Sequence, residues 1–289
     1  MHADEIDTDA SLVRRLLAAQ FPHWADLSIE PVASTGTDNA IYRLGDDKAV
    51  RLPRIHWAVG QVDLEVRWLS ALAPLLPVAI PNVLAHGDPA GGYPWRWSVH
   101  AWLDGEDPAV DRLADPRALA LDVAQFVRAM RRIDAAGGPP AERGVPLEKR
   151  DAPTRVAIDE LHGLVDIAAA IAAWDDALAT PVWDGPPVWI HGDISPGNLL
   201  LSAGRLTAVI DFGCLGVGDP ACDLVAAWNL LPAEARDVFR DAVQVDDAAW
   251  ARGRGWALSI ALIQLPYYLH SSPALAAGAR HTISAVLSD

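Results

Sequence analysis

The segment VWIHGDISPGNLLLSAGRLTAVID, residues 188 to 211, constrains the fold of this chain more than any other. NLLL and LTAVI have the length and branched apolar content of strands, and the SAGR between them is typical of a turn. The two strands are therefore predicted to form an antiparallel hairpin. Asn198 opens the first strand and Asp211 closes the second, with Asp193 a short loop upstream. We expect these three side chains to lie at the same end of the hairpin.

Such a group of oxygen atoms suits a magnesium ion beside a catalytic base. Magnesium in phosphoryl-transfer sites takes only one or two protein ligands and keeps its other positions for phosphates and water. Asp211 and Asn198 are the candidate ligands. Asp193, spared from the metal, would accept the proton of an attacking hydroxyl and hold that hydroxyl in line with a terminal phosphate.

The order of these motifs resembles a known pattern. His-Gly-Asp, an Asn five residues later and a hairpin ending in Asp-Phe-Gly resemble the catalytic and metal-binding loops of protein kinases, with Gly192 in place of the usual Arg. The Gly form is similar to the aminoglycoside phosphotransferase family. By this resemblance His191 would brace the loop through hydrogen bonds, and Asp219 and Asp223 would fix the segment that follows the metal-binding Asp.

Upstream segments extend the resemblance. STGTDNAIYRLGDDKAVRLPR, residues 34 to 54, is similar to the family's nucleotide loop and hairpin, QVDLEVRWLSAL to its Glu-bearing helix, and WSVHAWLDGED to its interlobe linker. The resemblance therefore assigns nucleotide contacts to Ser34, Thr35, Gly36, Thr37, Asn39, Arg51, Glu65, Ala101 and Leu103. Taken singly, these pieces also fit an ordinary surface turn, an exposed helical Glu and a buried strand.

The phosphate-binding cation departs from the family pattern. The family commonly has Lys on the third strand, whereas this chain has Arg51 there and Lys48 in the preceding turn. We favour Arg51 for the role, with Arg54 next in line. A guanidinium holds phosphate through two hydrogen bonds, and it differs from an ammonium in reach and hydration. The replacement is therefore expected to affect nucleotide geometry or preference.

The implied fold is α+β, similar to the two-lobed protein kinases. Residues 1 to 103 would form a small lobe with an antiparallel sheet, the hinge would run to about 105, and 106 to 289 would form a larger, mainly helical lobe. Periodic segments predict helices at about Ala10 to Gln20, after the Asp-Pro at 115, from about Thr154, and twice near the carboxyl end.

The composition of the chain restricts the classes of molecule that the protein is expected to bind. The 289 residues carry a net charge of −15, with a pI near 4.9, which argues against nucleic acid because phosphate backbones are recognised by basic surfaces. No segment is long and apolar enough to be predicted as membrane-spanning, and the acidic start lacks a secretory core. Cys214 and Cys222 form no disulfide framework, so a reduced, cytoplasmic setting is expected.

The acidic surface would attract a cationic acceptor. Asp159 and Glu160 precede the catalytic loop on a predicted helix and are the first candidates for an acidic substrate patch. A plain solvated helix face is the alternative for both residues.

These observations predict an enzyme that transfers the terminal phosphate of ATP or GTP, with Mg²⁺, to a hydroxyl of a small molecule. An aminoglycoside or another antibiotic is the favoured acceptor, and a metabolite alcohol such as a sugar, amino alcohol or homoserine is the nearest alternative. A catalytically inactive nucleotide-binding regulator and a metal-dependent hydrolase using His191 and Asp193 are further alternatives. The oligomeric state stays open.

Overall fold

The amino-terminal part of the chain is built on one antiparallel sheet. The structure, a computed structural model, describes residues 5–33 and 36–289. The sheet has five strands in the order β1, β2, β3, β5, β4. Their bounds are β1 Ile29–Pro31, β2 Asn39–Leu44, β3 Lys48–Pro53, β4 Val83–Gly87 and β5 Trp97–Ala101. The predicted hairpin of residues 39 to 53 is confirmed, with Asn39 paired to Pro53 and Leu44 to Lys48.

Two helices accompany this sheet, α1 (Ala10–Gln20) and α2 (Gln61–Leu72). The Asp9 side chain caps α1 by accepting from the Leu12 backbone N–H at 2.6 Å. The buried face of α1 joins the apolar side chains of β2, β3 and β5 in one small core. The buried Leu69 and Leu72 of α2 instead belong to a second, larger core in the rest of the chain. The helix therefore connects the two lobes.

The larger lobe is mainly helical. Its helices are α3 Pro116–Arg132, α4 Asp151–Glu160, α5 Ile167–Ala179, α6 Ala226–Asn229, α7 Ala233–Val243, α8 Asp247–Tyr268 and α9 Pro273–Leu287. Asp115 caps α3, as its Asp-Pro start predicts, whereas α4 begins at Asp151 rather than Thr154 because Pro153 is tolerated in a first helical turn. None of the helices within residues 5–33 and 36–289 is both long and apolar enough to cross a lipid bilayer.

Two short antiparallel strand pairs complete this lobe. Strand β6 (Val188–Ile190) pairs antiparallel with β9 (Gly216–Gly218), and β7 (Leu199–Ser202) pairs antiparallel with β8 (Arg205–Val209). The predicted β7–β8 hairpin is confirmed. Its turn uses left-handed backbone at Ala203 (φ 49°) and Gly204 (φ 77°), which turns this tight require.

The segment after β5 is fixed to the β7–β8 hairpin. Glu106 and Leu201 exchange two backbone hydrogen bonds of 2.9 Å, so the linker adds a short bridge to β7. Gly105 has φ 152°, and a Cβ there would lie 2.7 Å from the Leu200 Cβ, so this close approach requires glycine. The α+β, two-lobed prediction is confirmed. The lobe boundary at residues 103 to 105 stays a prediction.

Candidate active site

The end of the β7–β8 hairpin gathers the three oxygen-bearing side chains predicted from the sequence. Asn198 Nδ2 donates to the Asp193 backbone oxygen at 2.8 Å and to Asp193 Oδ2 at 3.1 Å. The Ile210 N–H donates to the Asn198 carbonyl at 2.9 Å, which places Asp211 beside the opening of β7. All three side chains line one cleft of about 640 Å³ between the lobes.

Asp211 is held in an uncommon backbone conformation. Its φ of 60° and ψ of 72° lie in the left-handed region, which is costly for a residue other than glycine and clusters at functional sites. Its Oδ1 accepts from the Gly213 N–H at 3.4 Å, and the buried Phe212 that follows packs edge-on against the His191 ring, with centroids 4.6 Å apart. Packing beneath the loop thus directs the Asp211 carboxylate into the cleft.

His191 braces the catalytic loop, as the resemblance implies. Its Nε2 lies 3.1 Å from the Ile210 carbonyl, and its Nδ1 accepts from the Asp193 N–H at 3.2 Å. These two partners select the neutral tautomer with the proton on Nε2. The ring therefore links the loop that carries Asp193 to the strand that leads to Asp211.

The buried Asp223 fixes the same loop from the other side. Its carboxylate accepts from the His191 N–H at 2.9 Å and from the Gly192 N–H at 2.8 Å. Gly192 has φ 79°, and a Cβ there would lie 2.6 Å from the Cys214 carbonyl oxygen. The geometry of this loop therefore requires glycine at position 192. Asp219, which forms a buried ion pair with Arg252 at 2.7 Å, is equally structural.

Arg143 is a member of the site that the sequence reasoning missed. Its guanidinium donates to Asp193 Oδ1 and, at 3.0 Å, to the Gly192 carbonyl. The loop around it is anchored, because the Asp219 N–H donates to the Gly144 carbonyl at 2.8 Å. The only sequence signal was one Arg in a Gly- and Pro-rich connection, which predicted a helix break and no more.

The charge state of Asp193 follows from these contacts. Burial alone would raise the pKa of its carboxyl group. The Arg143 guanidinium and the Asn198 hydrogen bond outweigh burial and hold the pKa of Asp193 below its ordinary value. Asp193 is therefore ionised near neutral pH, as a proton acceptor must be.

Arg51 is the cation that enters the site. It forms an ion pair with Glu65 of α2 and donates through Nη2 to Asp211 Oδ1 at 2.8 Å and Gln61 Oε1 at 2.9 Å. Burial would lower the pKa of Arg51, but Glu65 and Asp211 raise it, so the guanidinium stays charged. Glu65 is only 1% exposed, which excludes the alternative of a solvated helical Glu.

The other two cations considered from the sequence lie elsewhere. Lys48 pairs with the neighbouring Asp47 at 2.6 Å, and Arg54 pairs with Glu5. Neither is among the residues that contact Asp211 in the described part of the chain. Of the three cations, Arg51 is therefore the one whose position suits a phosphate-binding role on the third strand.

The nucleotide loop approaches this cation. Asn39 lies beside Arg51, and its amide oxygen, in the orientation that satisfies its neighbours, accepts from Arg51 Nη2 at 2.8 Å. Gly36 and Thr37 line the cleft, and the Thr37 hydroxyl lies 3.0 Å from the Tyr268 hydroxyl of α8. Ser34 and Thr35, also predicted to bind nucleotide, lie outside the described residues.

The predicted purine-binding strand is β5 and the residues after it. The Ala101 N–H donates to the Asn82 carbonyl at 2.9 Å, and the Trp102 N–H donates to the Asp47 carbonyl at 2.8 Å. A purine contact through the Ala101 N–H would have to displace Asn82. Neither Ala101 nor Leu103 lines the 640 Å³ cleft, so their role stays a prediction.

The structure does not bring the predicted acidic patch to the cleft. Asp159 and Glu160 are exposed at the end of α4 and do not line it. One wall of the cleft comes instead from α8 and α9, whose sequences carry no motif. The wall residues include Gln264, Tyr268, Leu275, Gly278, His281 and Thr282.

The donor set at the hairpin fits magnesium. The Asn198 nitrogen is occupied by Asp193, which leaves the amide oxygen as the free ligand atom of that side chain, and the Asp211 carboxylate is about one third exposed in the same cleft. One carboxylate and one amide oxygen, completed by phosphates and water, are the ligands that this ion takes in phosphoryl-transfer sites. Asn198 and Asp211 would hold it.

A two-lobed, kinase-like fold with a base, a hairpin donor pair and a buried Arg–Glu pair defines a class of phosphoryl-transfer enzymes. Comparison with known proteins agrees. The model of the Phosphotransferase enzyme family matches residues 28–256, and the chain belongs to that family.

Solved structures and one curated protein are similar to this chain. The GDP complex of an aminoglycoside 2'-phosphotransferase-IIIa has a TM-score of 0.78 at 19% identity and covers 97% of this chain and 99% of that one. The macrolide 2'-phosphotransferase MphH from Brachybacterium faecium has a TM-score of 0.63 at 25% identity, covering 96% and 98%. An aminoglycoside 3'-phosphotransferase from Escherichia coli is 33% identical over 78 residues, only 24% of this chain and 29% of that protein.

Proposed function

We propose that this protein transfers the terminal phosphate of ATP or GTP to a hydroxyl group of a small-molecule antibiotic. One observation carries the proposal: Asp193, Asn198 and Asp211 line a single cleft, and Arg51 is bonded to Asp211 from the opposite lobe. Similar structures are complexes with GDP and with ATP, and the molecules bound in such structures include kanamycin, streptomycin and gentamicin. A macrolide phosphotransferase is similar as well.

In this proposal each residue has a role that follows from its position in the cleft. Asp193 orients the acceptor hydroxyl and receives its proton, while Arg143 keeps the carboxylate ionised and aimed. Arg51, itself held by Glu65, aligns the phosphates. Asn198 and Asp211 would hold Mg²⁺, which when bound neutralises charge on the phosphate oxygens. The loop that includes Gly36 and Thr37 excludes water from the phosphates.

The purine contacts of Ala101 and Leu103, and those of Ser34 and Thr35, are part of the same proposal. So is a reduced, cytoplasmic setting, which the free Cys214 and Cys222 support. Asp159 and Glu160 are no longer the first candidates for acceptor contact, because they are not among the residues that line the cleft.

The test is nucleotide consumption with a panel of acceptors. ATP and GTP are each offered with aminoglycosides, macrolides, peptide antibiotics and simple metabolite alcohols, and products are identified by the mass of an added phosphoryl group. Transfer to an antibiotic, lost in Asp193→Asn and kept in the matched control Asp159→Asn, is the expected result. Transfer only to a metabolite alcohol would replace the proposed acceptor, and no transfer and no nucleotide hydrolysis under any condition would remove the proposed activity.

A further inference from the structure

The position of the acceptor follows from the position of the base. Phosphoryl transfer requires the attacking oxygen and the leaving oxygen to be roughly in line across the transferred group. With the phosphates between Arg51 and Asp211, the acceptor hydroxyl must lie on the other side of the transferred phosphate, beside Asp193. The part of the cleft beyond Asp193 is walled by α8 and α9. We call this part the acceptor wall, defined by Gln264, Leu275, Ala277, Gly278, His281 and Thr282.

The acceptor wall belongs to a stretch of chain without carboxylates. From residue 248 to residue 288 there is no Asp and no Glu, whereas the whole chain has a net charge of −15. The same stretch carries three arginines, at positions 252, 254 and 280. The described lining residues that α8 and α9 contribute to the cleft therefore include no carboxylate.

The carboxylates that do line the cleft are already engaged or lie at its margin. Among the described lining residues they are Asp38, Asp111, Asp193 and Asp211. Arg143 pairs with Asp193 and Arg51 pairs with Asp211. Asp38 is part of the nucleotide loop. Only Asp111 remains on the acceptor side, where its exposed side chain lies 3.7 Å from Arg112.

The wall offers apolar contact and neutral hydrogen-bonding groups instead. Small and apolar side chains of α9, including Ala274, Leu275, Ala277 and Gly278, leave room for a bulky apolar body. His281 lies among them, and burial lowers its pKa, so the ring is neutral near pH 7. Asn229 also lines the cleft, and its buried Oδ1 has no hydrogen-bond partner in the described part of the chain.

We propose that the acceptor is a polyhydroxylated molecule with a large apolar body and no more than one cationic group. A polycation would have to leave several ammonium groups unpaired against α8 and α9, and taking an unpaired charge out of water is strongly unfavourable. A macrolide with a single amine has the required chemistry, and an aminoglycoside does not. This inference rests on the proposed function and specifies its acceptor.

The decisive experiment measures binding as well as turnover. The full chain, with Mg²⁺ and a non-hydrolysable nucleotide, is titrated with a single-amine macrolide and with kanamycin, and kcat/KM is measured for both with the hydrolysable nucleotide. We expect the macrolide to be favoured at least about tenfold in both measurements. Kanamycin binding equal to or tighter than macrolide binding would overturn the inference.

A pair of variants tests whether the acceptor wall causes the preference for the macrolide over kanamycin. Ala277→Asp adds a carboxylate to the cleft, whereas Ser284→Asp adds one to an exposed position two turns further along α9 that is not among the lining residues. We expect Ala277→Asp alone to shift the kcat/KM ratio toward kanamycin, by about fivefold for one new charge pair. Equal effects of the two variants would mean that the wall does not contact the acceptor and would overturn the inference.

The binding measurement separates this inference from the proposed function. Macrolide binding without any phosphoryl transfer would support the acceptor class and contradict the activity. Transfer to kanamycin in preference to the macrolide would support the activity and contradict the acceptor class.

Discussion

The two halves of the cleft are built on different physical principles. In the proposed donor half, which consists of Arg51, Glu65, Asn198 and Asp211, each charged group has a partner of opposite charge or a fixed hydrogen bond. In the proposed acceptor half, the lining residues that α8 and α9 contribute are apolar or neutral polar, and none of those described is a carboxylate. Asp193 lies between the halves and is held by Arg143 and Asn198.

This difference between the two halves indicates which part of the cleft requires an exact geometry. Phosphate oxygens and a magnesium ion demand defined distances, and a buried ion pair tolerates no loss of either partner. An apolar wall tolerates changes of shape and sets mainly which molecules fit. We therefore expect large losses of rate from changes in the donor half and at the base, and smaller, acceptor-specific changes from the wall.

The largest effect is expected from Asp193→Asn. An amide cannot receive the hydroxyl proton, so kcat should fall about 1,000-fold, within the range for loss of a general base. Nucleotide affinity should be unchanged, because Asp193 does not contact Arg51. Single-turnover kinetics with a nucleotide titration test this. A variant that kept the parental rate would show that another group takes the proton.

The next effect is expected from Arg51→Ala. Loss of the phosphate-aligning cation should lower kcat/KM for nucleotide about 100-fold, since the site also loses the partner that positions Asp211. It should cost about 3 kcal/mol of unfolding free energy, because Glu65 is left buried and unpaired.

Two further variants sharpen that prediction. Arg51→Ala combined with Glu65→Gln should recover much of the stability in urea unfolding but none of the nucleotide affinity. Arg51→Lys should keep part of both. If Arg51→Ala left nucleotide affinity unchanged, the phosphate role would belong to another cation.

A smaller effect is expected from Arg143→Gln. Without the guanidinium, burial raises the pKa of Asp193, so the base becomes protonated at a higher pH and the acid limb of the kcat profile moves upward in pH. The carboxylate also loses a hydrogen bond that orients it. We expect the two effects together to lower kcat about 30-fold at neutral pH. The pH profile of kcat measures the shift.

Arg131→Gln is the matched control. Arg131 is also partly buried and donates to a backbone carbonyl, that of Pro220 at 3.1 Å, but it does not touch Asp193. Its pH profile should match that of the parent. If the acid limb of the kcat profile did not move in Arg143→Gln, Arg143 would only hold the loop in place and would not set the pKa of Asp193.

The smallest effect is expected from the wall. Leu275→Ala removes part of the apolar contact with the acceptor, so the acceptor KM should rise about fivefold while the nucleotide KM stays constant. Two-substrate steady-state kinetics separate the two constants. An equal rise in the nucleotide KM would contradict the division of the cleft into halves.

Sequence reasoning reached the donor half because local chemistry specifies it. The β7–β8 hairpin follows from apolar strands around a turn, and the ends of an antiparallel pair must meet, so Asn198 and Asp211 were predictable as neighbours. The partnership of Arg51 with Glu65 was reached only through the resemblance. Arg143 was missed because nothing local indicates that a residue in an irregular loop will meet a carboxylate 50 positions later.

The acidic patch predicted from the sequence is not among the residues that line the cleft, for a related reason. The net charge of the chain suggested an acidic patch, and Asp159 and Glu160 were the nearest acids before the catalytic loop. Net charge carries no information about direction, and α4 presents these residues to solvent. The helices that do face the cleft, α8 and α9, are separated from Asp193 by more than fifty residues of sequence.

The sequence alone determined the elements that depend on neighbouring residues. These are the caps of α1 and α3, the β7–β8 hairpin, and the adjacent positions of Asn198 and Asp211 at the open end of that hairpin. The packing of the lobes decided the rest, which includes the guanidinium at Asp193, the buried state of Glu65 and the uncharged wall across the cleft. Turns and caps are set by local backbone chemistry, whereas the partner of a distant side chain depends on how entire helices and strands bury their apolar faces.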